Sequence, residues 1–403
     1  MLIKFIKYLS FILILLLFSC KTGIKKESRA NINDSIIVID VNPKQLNEID
    51  FNDIYSDYSF IKLETNDSVL LSGVEKIEIF NDRIYVFDSR GLTVLHCFDM
   101  HGKYLFGVGH KGQGPGEYGF TSDFSIDKEN KKIWMGDDSR KILSYDLDGH
   151  FLKEYRADFS IRNIAPIPNS KELFLIRFGY YKDKDYLSGI YSLKRNDVTE
   201  YLSIVTAFEP QIGGQSTSSF QDELLFGFGF NDTVYRVNAQ YGYIPKYVLD
   251  FGKNKFPEIE LKKEMRAFFS EFLKIPSPYE YAGLVTIVIE TDDYLLFTYN
   301  YHGKHVKAIY SKDKNKVFNI SKVLSDGKEQ RVITVLSYTD SNNVYSILDS
   351  ESIVDEDINN YSDNTLPKFG VFNSLEEVKA VTKVDDNPII VKGVINVHKL
   401  FAD

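Results

Sequence analysis

Apolar and polar residues alternate with a period of two through much of this chain, and turn-forming residues break the pattern at short intervals. In "RIYVFD" (83–88), Ile84 and Val86 share one side of an extended segment that ends at Asp88. Such alternation marks half-buried antiparallel strands. The stretch 83–106, "RIYVFDSRGLTVLHCFDMHGKYLF", recurs as 132–155, "KIWMGDDSRKILSYDLDGHFLKEY". In both, an aromatic strand leads to Asp-Ser-Arg, a second strand ends in an aromatic-Asp-X-X-Gly turn, and a third strand follows. Ile84 maps to Ile133 and Asp99 to Asp146, offsets of 49 and 47 residues. Repeats of this length imply a propeller or a solenoid. The "DMHG" and "DLDG" turns are hairpin chemistry, with Gly free to take positive φ.

The pattern predicts an all-β chain, a six-bladed β-propeller of four-stranded antiparallel blades. Blade one is expected at 74–80, 83–89, 93–99 and 103–108, and blade two at 122–127, 132–137, 141–146 and 150–156. Blades three to six are expected over about 162–207, 216–252, 282–324 and 330–400. Leu261, Met265, Phe268, Phe269 and Phe272 lie at helical spacing and predict a helical insertion near 257–275. The acidic, turn-rich stretch 351–366 reads as a solvent loop, followed by a short helix near 374–381. A propeller must close on itself to hide its edge strands. The strand "DYSFIKLET" (57–65) is therefore expected to pair with "NPIIVKGVINVHKL" (387–400), so that both ends of the domain complete blade six.

Composition narrows the class. The 26 Tyr and 30 Phe against 4 Met are the usage of pleated sheets. The 48 basic and 57 acidic residues give a net charge of −9, which argues against nucleic acid as a partner. At the N-terminus, Lys4 and Lys7 precede an apolar run, Leu9–Ser19, too short to span a bilayer and suited to a secretory leader. The run ends in "LFSC", which resembles a bacterial lipobox and implies cleavage before Cys20 and lipidation there. Residues 1–19 then form a lipoprotein signal peptide, 20–35 a flexible tether, and 36–403 the propeller. The tether begins basic, without an acidic cluster after the Cys, which favours an outer-membrane anchor facing the periplasm over the cell surface. Once Cys20 is lipidated only Cys97 remains, in the strand "TVLHCFD", where a buried, inert thiol is expected.

Residues 98–156 resemble the NHL-repeat class of propeller, through "FDMHG", "GQGPGEY", "IWMGDD" and "YDLDG". The whole chain resembles six-bladed β-propeller lipoproteins of Gram-negative bacteria, which pair a lipobox with a "LET" strand, a "GxGPGEY" loop and a C-terminal "NP" strand. Here these are "KLET" (62–65), "GQGPGEY" (112–118) and "DNPIIV" (386–391). The resemblance implies the fold and an envelope location, and no activity.

Candidate chemistry centres on the loop "GHKGQGPGEYGF" (109–120). It lacks the Lys-Ser/Thr of a phosphate loop, and a strand follows it where a nucleotide site would have a helix. It reads as the crossover between blades one and two. Lys111, Gln113, Glu117 and Tyr118 are its candidate ligand contacts, since such loops line propeller faces. His302 and His305 flank a Gly turn and read as a solvated hairpin. Asp137, Asp138, Asn163 and Glu290 are the candidates for a divalent cation at the pore, although Asp at strand ends ordinarily forms turns. Tyr180, Tyr181, Tyr299 and Tyr301 are candidates for a sugar- or peptide-stacking surface. No G-x-S-x-G occurs, so nucleophilic hydrolysis has no support.

The reading that follows is a monomeric, lipid-anchored cell-envelope propeller that binds a protein, peptide or glycan, with no cofactor and no catalytic residue assigned. The alternative is a metal-dependent hydrolase or lyase of the same fold with its cation at the central pore. The two differ in whether carboxylate, amide or His groups gather there.

Overall fold

The structure, a computed structural model, describes residues 36–402 except 178–185, 204–216, 228, 230, 257–279, 326–327, 331–334, 341–342 and 355–366. The leader, Cys20 and the tether lie outside the described residues, as do the expected helix near 257–275 and most of the acidic loop.

Six antiparallel sheets form the blades of a propeller ring, each with its first strand at the centre. Blade one is Val74–Phe80, Arg83–Asp88, Leu95–Asp99 and Tyr104–Val108. Blade two is Thr121–Asp127, Lys132–Asp137, Lys141–Asp146 and Phe151–Arg156. Both follow the alternation closely. Blade three runs from Ile161 to Ser203, blade four from Thr217 to Asp250 and blade five from Val288 to Ser325. The apolar sides of adjacent blades pack on one another. Phe87 of blade one, for example, stacks on Phe124 of blade two with ring centroids 6.0 Å apart.

The Asp that ends the second strand of blades one and two has a structural task. Asp88 accepts hydrogen bonds from Ser72 N (2.8 Å) and Arg90 N (3.0 Å). Asp137 accepts from Gly119 N (2.8 Å) and Ser139 N (2.5 Å). Each carboxylate thereby ties the turn after its strand to the residues entering the inner strand of the same blade. Asp88 thus corresponds to Asp137 and not to Asp138, and blade two carries one extra residue before its Ser-Arg.

Blade six closes the ring. Its strands run in the order Val335–Thr339, Val344–Leu348, Ile389–Ile395, Tyr55–Lys62, with Gly370–Phe372 beyond. The expected pairing is present: Phe60 lies opposite Val391 and Lys62 opposite Ile389. The helix expected near 374–381 is Leu375–Val381, capped by Ser374. The "KLET" and "DNP" segments lock this junction. Lys62, 2 % exposed, donates to Asp386 Oδ2 (2.8 Å) and to the Lys368 carbonyl (2.9 Å). Asn387, fully buried, accepts from Leu71 N (2.7 Å) and donates to the carbonyls of Glu64 (2.7 Å) and Val69 (3.1 Å). Its own N–H donates to Thr65 Oγ1 (2.8 Å). Glu64 then reaches blade one, accepting from Tyr104 N (2.9 Å). Gly102 passes so close to the Lys62 carbonyl, at φ +79°, that a side chain there would collide.

Besides the fifth strand of blade six and the short strand Lys328–Gln330 on blade five, a further feature departs from the expected four-stranded blades. Before it reaches blade six, the N-terminal segment runs along the outside of two others. Ile37–Asp40 pairs parallel with the outer strand Gly242–Asp250 of blade four, and Asn47–Asp50 pairs parallel with the outer strand Lys316–Ser325 of blade five. Asn319, 2 % exposed, holds the link between them, donating to the carbonyls of Asn42 (3.0 Å) and Gln45 (3.2 Å). Residues 37–62 therefore strap three consecutive blades from the outside.

Asn387→Ala would leave the Leu71 N–H and the Glu64 carbonyl without a partner and the Val69 carbonyl with only a long bond from Asn66 N (3.4 Å). It is expected to cost about 3 kcal/mol, read as a lower urea midpoint at unchanged m-value. Deleting residues 36–50 is expected to lower the midpoint while unfolding stays cooperative. Extending the deletion to residue 65 removes the closing strand and is expected to abolish the cooperative transition; a cooperative melt there would contradict closure by this strand.

Candidate functional site

The inner strands surround a central channel, and their side chains do two jobs: some tie blade to blade, others line the opening. In Val74–Phe80, Lys76 and Glu78 point toward blade two. The Lys76 ammonium lies 3.0 Å from Asp123 Oδ1 and 3.1 Å from Glu78 Oε1, and it donates to the Phe124 carbonyl (2.5 Å). Burial alone would lower the Lys76 pKa; Asp123 and then Glu78 more than reverse this, and the pKa rises. Glu78 Oε2 accepts from Ile126 N of blade two (2.9 Å). Asp123 Oδ2 in turn accepts from Ile164 N (3.0 Å) and Asn163 Nδ2 (3.2 Å) of blade three. A chain of charge-assisted bonds thus joins the inner strands of three blades.

A cavity of about 340 Å³ opens at the end of the channel where the inner strands turn into their neighbours. Lys76 and Glu78 lie in its wall, with Ser125, Thr217, Ser219 and Gln221 among the other polar lining residues. The apolar part of the lining comes from Ile126, Ala165, Leu224 and Ile289, and Lys128, Glu129 and Asp222 lie at the turns. Five blades therefore contribute to one concave surface of mixed character, the usual make-up of a small-ligand site.

The "GHKGQGPGEYGF" loop lies at the other end of this geometry. It enters the inner strand Thr121–Asp127 at Thr121, whereas the cavity touches Ser125, Ile126 and Lys128. A strand of this length separates the two ends by roughly 20 Å. Lys111 and Gln113 are exposed, and Glu117 is half-buried. Glu117 folds back on its own loop, accepting from Gly114 N (2.7 Å) and pairing with His110 Nε2 (2.8 Å). The Gly114 amide, helped by His110 against desolvation, holds its carboxyl below the usual carboxylate range. Tyr118 is fully buried; its hydroxyl accepts from Val94 N (2.9 Å) and donates to the Val108 carbonyl (3.5 Å). Tyr145 of blade two donates to the Gly116 carbonyl (2.8 Å), and Lys141 donates to that of Glu117 (3.0 Å). Gly116, at φ +74°, sits against the Phe151 ring, where a Cβ would come within 2.7 Å of it. The glycine-rich spelling of this loop is thus accounted for by packing between blades one and two.

The cation candidates do not gather. Asp137 caps its turn, Asp138 is exposed, and Asn163 is bonded to Asp123. Glu290, 3 % exposed, is held by Lys246 (2.8 Å), Lys312 (2.8 Å) and the Tyr247 hydroxyl (2.6 Å). Among the described residues no three His, Cys, Asp or Glu side chains are grouped as metal ligands. Tyr299 and Tyr301 belong to the core between blades four and five and present no stacking surface, while Tyr180 and Tyr181 lie outside the described residues. Cys97 is fully buried, and burial pushes its thiol up to about 12. The channel residues Lys76, Glu78 and Asp123 were not singled out by the sequence. The only available signal was Lys76 and Glu78 sitting two apart, on one side of the strand Val74–Phe80.

A family model described as a domain of unknown function, DUF4934, matches residues 35–393. The crystal structure of a candidate exported protein from Bacteroides fragilis NCTC 9343 superposes at a TM-score of 0.70 with 21 % identity. That match covers 90 % of this chain and 100 % of the other. A member of the DUF4221 family from Bacteroides vulgatus reaches a TM-score of 0.49 at 9 % identity, over 85 % of this chain and 97 % of the other. No curated protein matches.

Proposed function

The chain belongs to the DUF4934 family, and from that premise we propose that it is an exported, lipid-anchored propeller that binds a peptide or glycan at the turn-side mouth of its channel. The observation that carries the binding reading is the cavity of about 340 Å³ to which inner strands of five blades contribute. A propeller ring gives such a site many independent contributors at fixed separation. The outer face of the crossover loop supports binding less well, because Glu117 and Tyr118 already serve the joint between blades. Export is supported by the leader-like N-terminus and by the name of the B. fragilis protein of the same fold. The anchor rests on "LFSC", and kinship with NHL-repeat propellers rests on the "FDMHG" and "YDLDG" turns of the first two blades.

The test is a thermal-shift panel of short oligosaccharides and tripeptides against the wild-type chain and Ser219→Trp, which places an indole in the mouth. At least one member is expected to raise the wild-type Tm by about 2–4 °C near saturation and to leave Ser219→Trp unmoved. Lys111→Ala with Gln113→Ala, at the far end, is expected to respond like wild type. A ligand that protects Ser219→Trp equally would place the site elsewhere. Separately, Cys20→Ala is expected to move the protein from the membrane to the soluble fraction; retention in the membrane would refute the lipid anchor.

A further inference from the structure

Several polar groups in the cavity wall already have donors engaged within the protein. An ammonium has three donors, and all three of Lys76 are engaged, by Asp123, Glu78 and the Phe124 carbonyl. Ser218 in the lining directs its hydroxyl hydrogen to the Val288 carbonyl (2.6 Å). Gln221 directs an amide hydrogen to Asp292 (3.0 Å). The Glu78 carboxylate in the same wall keeps acceptor sites open. Each Glu78 oxygen has one partner here, where a carboxylate offers about four acceptor sites.

The charge count leans the same way. The lining carries two cations, Lys76 and Lys128, against three carboxylates, Glu78, Glu129 and Asp222. Asp123, 3 % exposed behind Lys76, adds a fourth. The buried part alone, Lys76 with Glu78 and Asp123, has one negative charge in excess. An uncompensated buried charge is costly, and an arriving cation relieves that cost.

We propose that the cavity takes a ligand bearing a protonated amine or guanidinium, as a lysine or arginine side chain of a peptide does, with Glu78 as its main acceptor. This rests on the channel being the binding site. The apolar patches of Ile126, Ala165, Leu224 and Ile289 suit the methylene stem of such a side chain.

The experiment titrates the full chain calorimetrically with three blocked tripeptides: acetyl-Gly-Lys-Gly-amide, the same with norleucine at the centre, and the same with glutamate. The lysine peptide is expected to bind at least about tenfold more tightly than the norleucine peptide, and the glutamate peptide not to bind measurably. Raising NaCl from about 20 mM to about 500 mM is expected to weaken the lysine peptide severalfold. Glu78→Gln is expected to bring the lysine peptide to the norleucine level. Because Glu78 also ties two blades, its melt must be checked, and the double variant Glu129→Gln with Asp222→Asn, both at exposed positions, provides a second reading. That variant is expected to weaken the lysine peptide about threefold. Equal binding of the lysine and norleucine peptides, tighter binding of the glutamate peptide, or no binding of any would overturn the cationic class. If a panel ligand still binds wild type but not Ser219→Trp, the channel site survives that result. If the lysine peptide binds Ser219→Trp as well as wild type, both the class and the channel site fall.

Discussion

Everything in this ring depends on how its two ends are joined, and Asn387 makes that joint. A sheet ring leaves raw edges unless its last blade is completed from the other end of the chain. Here Asn387 gathers four partners from residues 64 to 71, which lie more than 300 positions away in sequence. A buried amide with every group satisfied rigidifies its surroundings, and a partly satisfied one destabilises them. The neighbouring Lys62–Asp386 pair works under the same condition: the ammonium is tolerable in the interior because a carboxylate and a carbonyl both meet it. Glu64 then passes the register of this joint to blade one. The three short spellings that mark the chain, "KLET", "DNP" and "GPGEY", turn out to be fasteners at the two blade junctions nearest the closure.

How much could be read in advance follows from how local each device is. Blades one and two were legible strand by strand, because alternation and Asp-X-X-Gly turns are set by neighbours in sequence. The closing pair was legible because ring topology demands one and few segments could supply it. The outer strap was not. Ile37–Asp40 and Asn47–Asp50 are four residues each, they pair parallel at exposed edges, and their partners lie about 200 to 275 positions away. Their fixation comes from Asn319, and nothing around Asn319 in sequence distinguishes it from a turn residue.

The candidate site was illegible for a related reason. Lys76, Ser125, Thr217, Ser219 and Gln221 meet only because separate blades present them to one axis. Each alone reads as an ordinary strand or turn residue. The loop that did attract notice, with its five glycines, owes its composition to close packing. Tyr118 lies buried between blades, Phe151 covers Gly116, and the Glu117 carboxylate closes the loop on itself. Glycine density signalled close approach of backbone to side chain, not of backbone to ligand.

The channel wall also shows why binding and stability are hard to separate in this fold. Glu78 and Asp123 are blade-to-blade ties, and Glu78 also presents its carboxylate in the cavity wall. An apolar pair in their place could hold two blades together at lower desolvation cost. Carboxyl groups at these positions add directional acceptors, which apolar packing cannot provide, and that of Glu78 lies in the cavity wall. Contrast Glu290, equally buried, where two lysines and a tyrosine meet the carboxylate. There Lys246, Lys312 and Arg236 face Glu290 and Glu223, whereas the Lys76 cluster sets one ammonium against two carboxylates.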